Sequence, residues 1–77
     1  MKIGDEVGWQ WGNGIATGTI ESIHHERTKI ESKGSIIARN GTLEDPALIL
    51  IHPSGAKVLK LQHEVKRLQQ KKGGEDV

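Results

Sequence analysis

The chain has 77 residues, 34% of them apolar and 27% charged, with ten glycines and a net charge of +1. A chain this short forms one small domain that buries about 60% of the surface its unfolded form exposes, which excludes a large enclosed active site. The absence of cysteine excludes disulfides and thiolate metal sites and is typical of a reducing, cytoplasmic setting. The longest apolar run, residues 47–51, is far shorter than the roughly 20 residues of a membrane span.

The first two predicted strands form a hairpin. Residues 3–11 read as a strand in which alternate side chains point to one face. The bulky residues that share this face are Val7, Trp9 and Trp11. The loop at 12–14, Gly-Asn-Gly, then reverses the chain, because these residue types tolerate positive φ.

The second predicted strand, residues 15–25, is rich in β-branched side chains. Its apolar pattern is broken, since Ile20 and Ile23 are out of phase for a flat strand and Gly18 lies just before them. We therefore expect a bulge or a sharp bend, the device that closes small barrels.

The middle of the chain contains residues 27–31 and 35–39 on either side of Ser-Lys-Gly at 32–34. These two segments predict either one bent excursion or a short hairpin. Turn signals follow at 40–41, which is Asn-Gly, and at 44–46, which is Glu-Asp-Pro.

Two further strands complete the predicted fold. Residues 47–51 are apolar throughout, as in a strand buried on both sides, and residues 56–61 follow the turn at 52–55. Five short strands and tight turns predict an all-β protein, a small and strongly bent five-stranded antiparallel barrel.

The C-terminal part changes period. Leu61, Val65 and Leu68 fall at i, i+4 and i+7, which predicts one short amphipathic helix against the open end of the sheet. We expect the barrel with its terminal helix to span residues 1–70, and the polar, glycine-broken residues 71–77 to form a disordered tail.

Three segments together resemble the hypervirulence-associated protein TUDOR domain family. They are GDEVGWQWGNG at 4–14, GTI at 18–20 and RNGTLEDPA at 39–47, and the resemblance covers roughly residues 2–68. It implies a Tudor-like, SH3-like barrel without implying an established activity.

The two tryptophans are the first candidate site. One interpretation is a stacking or cation–π surface, and the other is core packing with one indole over the barrel mouth. A methyl-ammonium cage needs several aromatic faces, and the chain has no Phe or Tyr to add to Trp9 and Trp11.

The loop at residues 39–45 is the second candidate. Arg39 and Asp45 flank it and are able to pair, either fixing the loop or forming a recognition surface beside the tryptophans. The hypothesis is a non-enzymatic module that binds a protein or peptide. Its ligand-binding residues are Trp9, Trp11, Asn13, Arg39, Asn40 and Asp45.

No residue pattern predicts catalysis, a metal or another cofactor. His24 and His25 are adjacent and point to opposite faces of a regular strand, His52 lies in a turn, and no HxH or HxxxH spacing occurs. The sequence also has no nucleophile elbow and no phosphate loop.

Charge asymmetry supports an alternative function. Residues 1–45 carry five basic and seven acidic side chains, whereas residues 46–77 carry six basic and three acidic ones. The alternative is weak, salt-sensitive nucleic-acid binding. It would use Lys57, Lys60, Lys66 and Arg67. A third hypothesis is an oligomer formed through an unpaired edge strand, although we expect a monomer.

Overall fold

The computed structural model describes residues 1–68, so the predicted polar tail at 71–77 lies outside the described residues. The described chain forms antiparallel strands and one 3-10 turn, Gln62–Glu64, which confirms the all-β class. The strands are β1 (Glu6–Trp11), β2 (Gly14–His24), β3 (Arg27–Ser32), β4 (Ser35–Asn40), β5 (Ala47–Ile51), β6 (Lys57–Leu61) and β7 (Lys66–Arg67).

Five of the strands form one antiparallel sheet in the order β6-β5-β2-β1-β7, and β3 and β4 form a separate sheet. The long β2 is the central strand. Its first half pairs with β1, where Ala16 lies opposite Trp9, and its second half pairs with β5, where Ile20 lies opposite Leu50. For residues 27–39 the sequence predicts either one bent excursion or a short hairpin. The structure shows a hairpin that turns at Lys33 and Gly34.

The sheet is strongly curled, as the short connection between its two outer strands shows. Only four residues, 62–65, join β6 to β7. In a flat sheet β6 and β7 would stand four strand spacings apart, about 19 Å. The five Cα steps from Leu61 to Lys66 span about 18 Å at most when fully extended, and part of this connection is a 3-10 turn. The sheet is not closed, since β6 and β7 do not pair with each other within residues 1–68. The predicted five-stranded barrel is therefore not confirmed.

A bulge in β2 accounts for the broken apolar pattern of that strand. In the pairing with β5, Ile20 lies opposite Leu50 and Ser22 lies opposite Ile49, so Glu21 is an extra residue. The extra residue restores the phase, and Ile20 is buried while Ile23 packs against the core. The predicted bulge is confirmed, and its extra residue lies three positions after Gly18.

The predicted C-terminal helix is wrong over the described residues. Leu61 ends β6, and Val65 has extended backbone angles (φ −125°, ψ 162°) directly after the 3-10 turn. The next residues pair with β1, and the Leu68 N–H donates to the Glu6 carbonyl at 2.9 Å. Leu61 ends β6, Val65 follows the 3-10 turn and Leu68 follows β7, so their spacing fits two helical turns although the backbone is not helical. Of the three, Val65 is a buried core residue.

The core lies on the face of the sheet that carries the alternate side chains of β1 and β5. Its buried members are Val7, Trp9, Ile20, Leu48, Leu50 and Val65. Strand β6 contacts both β3 and β4, so the separate hairpin packs beside the main sheet. No helix within residues 1–68 is long and apolar enough to cross a membrane.

Candidate binding site

A cleft of ≈ 290 Å³ opens where residues from three turns approach one another. The turns are those between β1 and β2, between β3 and β4, and between β5 and β6. The lining residues are Trp9, Trp11, Ala16, Ser32, Lys33, His52, Ser54, Ala56, Lys57 and Val58. The two tryptophans reach the same cleft because they alternate on β1 and share a face.

Trp9 forms the floor of the cleft. Its side chain belongs to the core and is only 3% exposed. The indole Nε1 is buried and has no hydrogen-bond acceptor within residues 1–68. Core packing and not a hydrogen bond within residues 1–68 therefore holds the indole in place. The unsatisfied buried donor costs about 1–3 kcal/mol.

Trp11 forms the rim, where its side chain is 68% exposed. The chain turns immediately after it, and Gly12 adopts φ +57°, which residues with a Cβ rarely adopt. Asn13 is exposed at the tip of this turn and does not line the cleft. Trp9 is therefore packed in the core and Trp11 is exposed, an arrangement that fits both interpretations of the tryptophan pair.

Polar and charged side chains also line the cleft. The Ser54 backbone N–H donates to His52 Nδ1 at 3.1 Å, and the Ser54 hydroxyl lies 2.9 Å from the same nitrogen. Since a backbone N–H can only donate, Nδ1 is an acceptor, and a neutral imidazole carries its proton on Nε2. Lys57 Nζ forms an ion pair with Glu21 at 3.5 Å.

The loop residues predicted to pair with each other bind the 3-10 turn instead. Arg39 Nε donates to Glu64 Oε1 at 3.3 Å, and Asp45 accepts from both the backbone N–H and the ring of His63. Asn40 Oδ1 accepts a hydrogen bond from Arg27 Nη1 at 3.0 Å. These residues fix the loop, and none of the predicted loop residues lines the tryptophan cleft.

Two carboxyl groups of this loop–turn contact have shifted pKa values. Hydrogen bonds from the side chain and the backbone of His63 lower the pKa of Asp45. Burial raises the pKa of Glu64, but the Leu61 backbone N–H at 2.8 Å and the Arg39 guanidinium together outweigh it, and the pKa is lowered. Both carboxylates therefore stabilise the folded chain in their ionised form.

The residues of the nucleic-acid alternative do not form one stripe. Lys57 and Lys60 are three residues apart on β6, and Lys66 and Arg67 are adjacent on β7, so each pair points to two faces. Two of the four are also ion-paired, Lys57 with Glu21 and Arg67 with Asp5 at 3.9 Å.

Several cleft residues escape sequence reasoning. The segments containing Lys33 and His52 read as turns, but nothing in the sequence says that these two turns approach the hairpin that carries Trp11. The packing of the β3–β4 hairpin beside β6 decides which turns meet. The sequence also does not indicate His63 and Glu64 as partners of the loop, since they lie 18 and 25 residues from the side chains they bind.

A second groove of ≈ 420 Å³ lies on the other face of the β1–β2 hairpin and contains Gly8, Ile15 and Leu68. Within residues 1–68 no group of three or more His, Asp or Glu side chains is placed to hold a metal ion. His24 instead lies with its Nε2 2.9 Å from the Ser22 hydroxyl.

The all-β fold agrees with what sequence comparison finds. A family model, the TUDOR domain of hypervirulence associated proteins, matches residues 4–65. No curated protein and no solved structure matches the chain. Tudor-like domains are typically non-enzymatic modules that bind other proteins. Because the matched segment covers most of the chain, from Gly4 before β1 to Val65 directly after the 3-10 turn, the chain belongs to the hypervirulence-associated protein TUDOR domain family.

Proposed function

We propose that this protein binds a peptide segment of a protein partner in the cleft that Trp9 and Trp11 share. The observation that carries the proposal is an indole left 68% exposed at Trp11, directly beside an indole that is locked in the core. A tryptophan side chain presents 150–250 Å², so covering the exposed part of Trp11 is worth roughly 2–4 kcal/mol. This is the energy typical of a binding hot spot.

The shape of the cleft supports a short peptide contact. A volume of ≈ 290 Å³ is at the small end of ligand pockets, which suits one or two side chains of a partner. Only Trp11 offers an open aromatic face, because Trp9 is packed in the core. This arrangement favours apolar contact over enclosure of a methylated cation, which needs several aromatic faces.

Selection from a random-peptide phage library tests the proposal, using the wild-type protein and Trp11→Ala as baits. We expect the wild type to enrich peptides that bind Trp11→Ala about 30-fold more weakly, which corresponds to a hot-spot residue. Because Trp11 is exposed, the substitution leaves the fold intact, which circular dichroism verifies.

Ile15→Ala is the matched control. Ile15 is 67% exposed on the same hairpin but contributes to the groove on its other face. Peptides that lose affinity for Ile15→Ala and keep it for Trp11→Ala would move the site to that groove. Peptides that bind all three proteins equally would exclude both faces of the hairpin.

A further inference from the structure

We infer that the partner segment is acidic, with a carboxylate held between Lys33 and Lys57 beside an apolar side chain on Trp11. This inference rests on the proposed function. Among the residues that line the cleft, Lys33 and Lys57 are the charged ones, and both are basic. Lys33 lies in the β3–β4 turn and Lys57 begins β6, so two separate parts of the chain bring positive charge to a cleft that also contains the buried Trp9.

The backbone conformation of Lys33 supports the inference independently of the charge of the cleft. Ser32 pairs with Ser35, so Lys33 and Gly34 form a two-residue hairpin turn, with φ of +54° and +80°. Such turns favour Asn or Gly at the first position, because a left-handed conformation is costly for other residues. Lys33 is the one residue other than glycine with positive φ in the described chain. Strained residues of this kind are concentrated at ligand-binding positions.

Lys33 is also free to bind a ligand. Within residues 1–68 no carboxylate lies within ion-pair distance of its ammonium group. The chain therefore keeps an unfavourable backbone conformation at a lysine that makes no ion pair in the described fold. A carboxylate of a bound peptide supplies the missing partner.

The ion pair that Lys57 forms within the protein is weak. Its ion pair with Glu21 spans 3.5 Å, and both side chains are about half exposed. Exposed pairs of this kind contribute about 0–1 kcal/mol. A ligand carboxylate held in the less hydrated cleft can replace Glu21 at little cost.

The charge pattern favours a discrete acidic group over a nucleic acid. The lining contains two lysines and no arginine, whereas apolar side chains make up the floor. A lining of this composition is complementary to an acidic side chain next to an apolar one, and not to a polyanion.

The peptides selected on the wild-type protein provide the test. We expect them to be enriched in Asp or Glu adjacent to an apolar residue, and the Asp→Asn or Glu→Gln analogue of a selected peptide to bind about tenfold more weakly. Lys33→Asn should lower the affinity for the acidic peptide by a similar factor while the turn folds normally, since Asn tolerates positive φ. Affinity for the amide analogue should not change.

Lys29→Asn is the control, because Lys29 is exposed on the same hairpin and does not line the cleft. Peptides that depend on Trp11 but show no acidic preference would overturn this inference and leave the proposed function standing. If no peptide depends on Trp11, the proposed function itself fails. Labelled single-stranded RNA that binds in a Lys33-dependent way, while acidic peptides do not, would assign the cleft to nucleic acid and also overturn the inference.

Discussion

The Asp45 carboxylate accepts two hydrogen bonds from His63, one from the backbone N–H at 2.9 Å and one involving ring Nδ1 at 2.6 Å. This contact joins the loop before β5 to the 3-10 turn that follows β6. Arg39 makes a second contact of the same kind with Glu64 on that turn. The turn is thus held from two sides, which directs the chain across the open side of the sheet to β7.

Acid should weaken this loop–turn contact. The pKa of Asp45 and that of Glu64 lie below their ordinary values of 3.8 and 4.5 in the folded chain. Groups with lowered pKa values stabilise the fold above the ordinary pKa, and this contribution is lost as the pH falls through the folded pKa. We expect the melting temperature to decrease below about pH 4.5, measured by circular dichroism from pH 7 to pH 2.5.

Asp45→Asn isolates the contribution of this residue. The variant should melt below the wild type at pH 7 and lose less stability on acidification, so that the two curves converge at the acid end. Glu44→Gln serves as control, because Glu44 is adjacent and exposed and makes no hydrogen bond within the described residues. If Asp45→Asn and the wild type lose the same amount of melting temperature on acidification, the Asp45–His63 contact does not stabilise the fold.

Gly41→Ala should destabilise the protein by steric overlap. A Cβ at this position would collide with the His24 carbonyl oxygen and lie 2.7 Å from the Ala47 backbone nitrogen. Neither backbone atom can move without disturbing the β2–β5 pairing, and overpacking of this kind costs about 1–3 kcal/mol. Urea denaturation followed by tryptophan fluorescence measures the free energy of unfolding.

Gly14→Ala provides the comparison, since a Cβ at Gly14 would meet no atom within 4 Å. Its free energy of unfolding should remain within about 0.5 kcal/mol of the wild type. Equal stabilities for the two variants would show that the turn after β4 can open to admit a methyl group.

The strands could be predicted because their signals are local. Neighbouring residues determine the apolar alternation and the content of β-branched side chains. They also determine the break in the alternation between Ile20 and Ile23, which predicts the bulge. The helix prediction failed because Leu61, Val65 and Leu68 satisfy two different backbone paths, and the pairing of β7 with β1 selects the extended one. Spacing alone could not distinguish these paths.

The site was predictable only in part. The shared face of Trp9 and Trp11 follows from strand parity, and both tryptophans do line one cleft. Arg39 and Asp45 were expected to pair because they flank one loop, but more favourable partners on the 3-10 turn come from a distant part of the sequence. Which turn packs against which depends on the curl of the whole sheet.

The two tryptophans should differ sharply in their effect on stability. Trp9→Ala removes a core side chain and should cost about 3–5 kcal/mol, a large part of the stability of so small a domain. Trp11→Ala should change the free energy of unfolding by less than about 0.5 kcal/mol, because the side chain is mostly in solvent. Thermal and urea denaturation provide both values.

Single-tryptophan variants give a spectroscopic check that does not require unfolding. Trp11→Phe retains the buried indole and should emit at shorter wavelength and resist quenching by iodide. Trp9→Phe retains the exposed indole and should be quenched readily. Similar quenching of the two variants would contradict the division of the pair into a buried floor and an exposed rim.

Lys33→Asn should stabilise the free protein. The substitution replaces a residue for which φ +54° is costly with one that tolerates the left-handed region, at the first position of a two-residue turn. We expect a gain of about 0.5–1 kcal/mol in the free energy of unfolding, which for a domain of this size raises the melting temperature by a few degrees. Lys29→Asn changes the same charge on a strand, where Asn is unfavourable, and should give no gain. If both variants are stabilised alike, the gain arises from removing positive charge and not from the turn geometry.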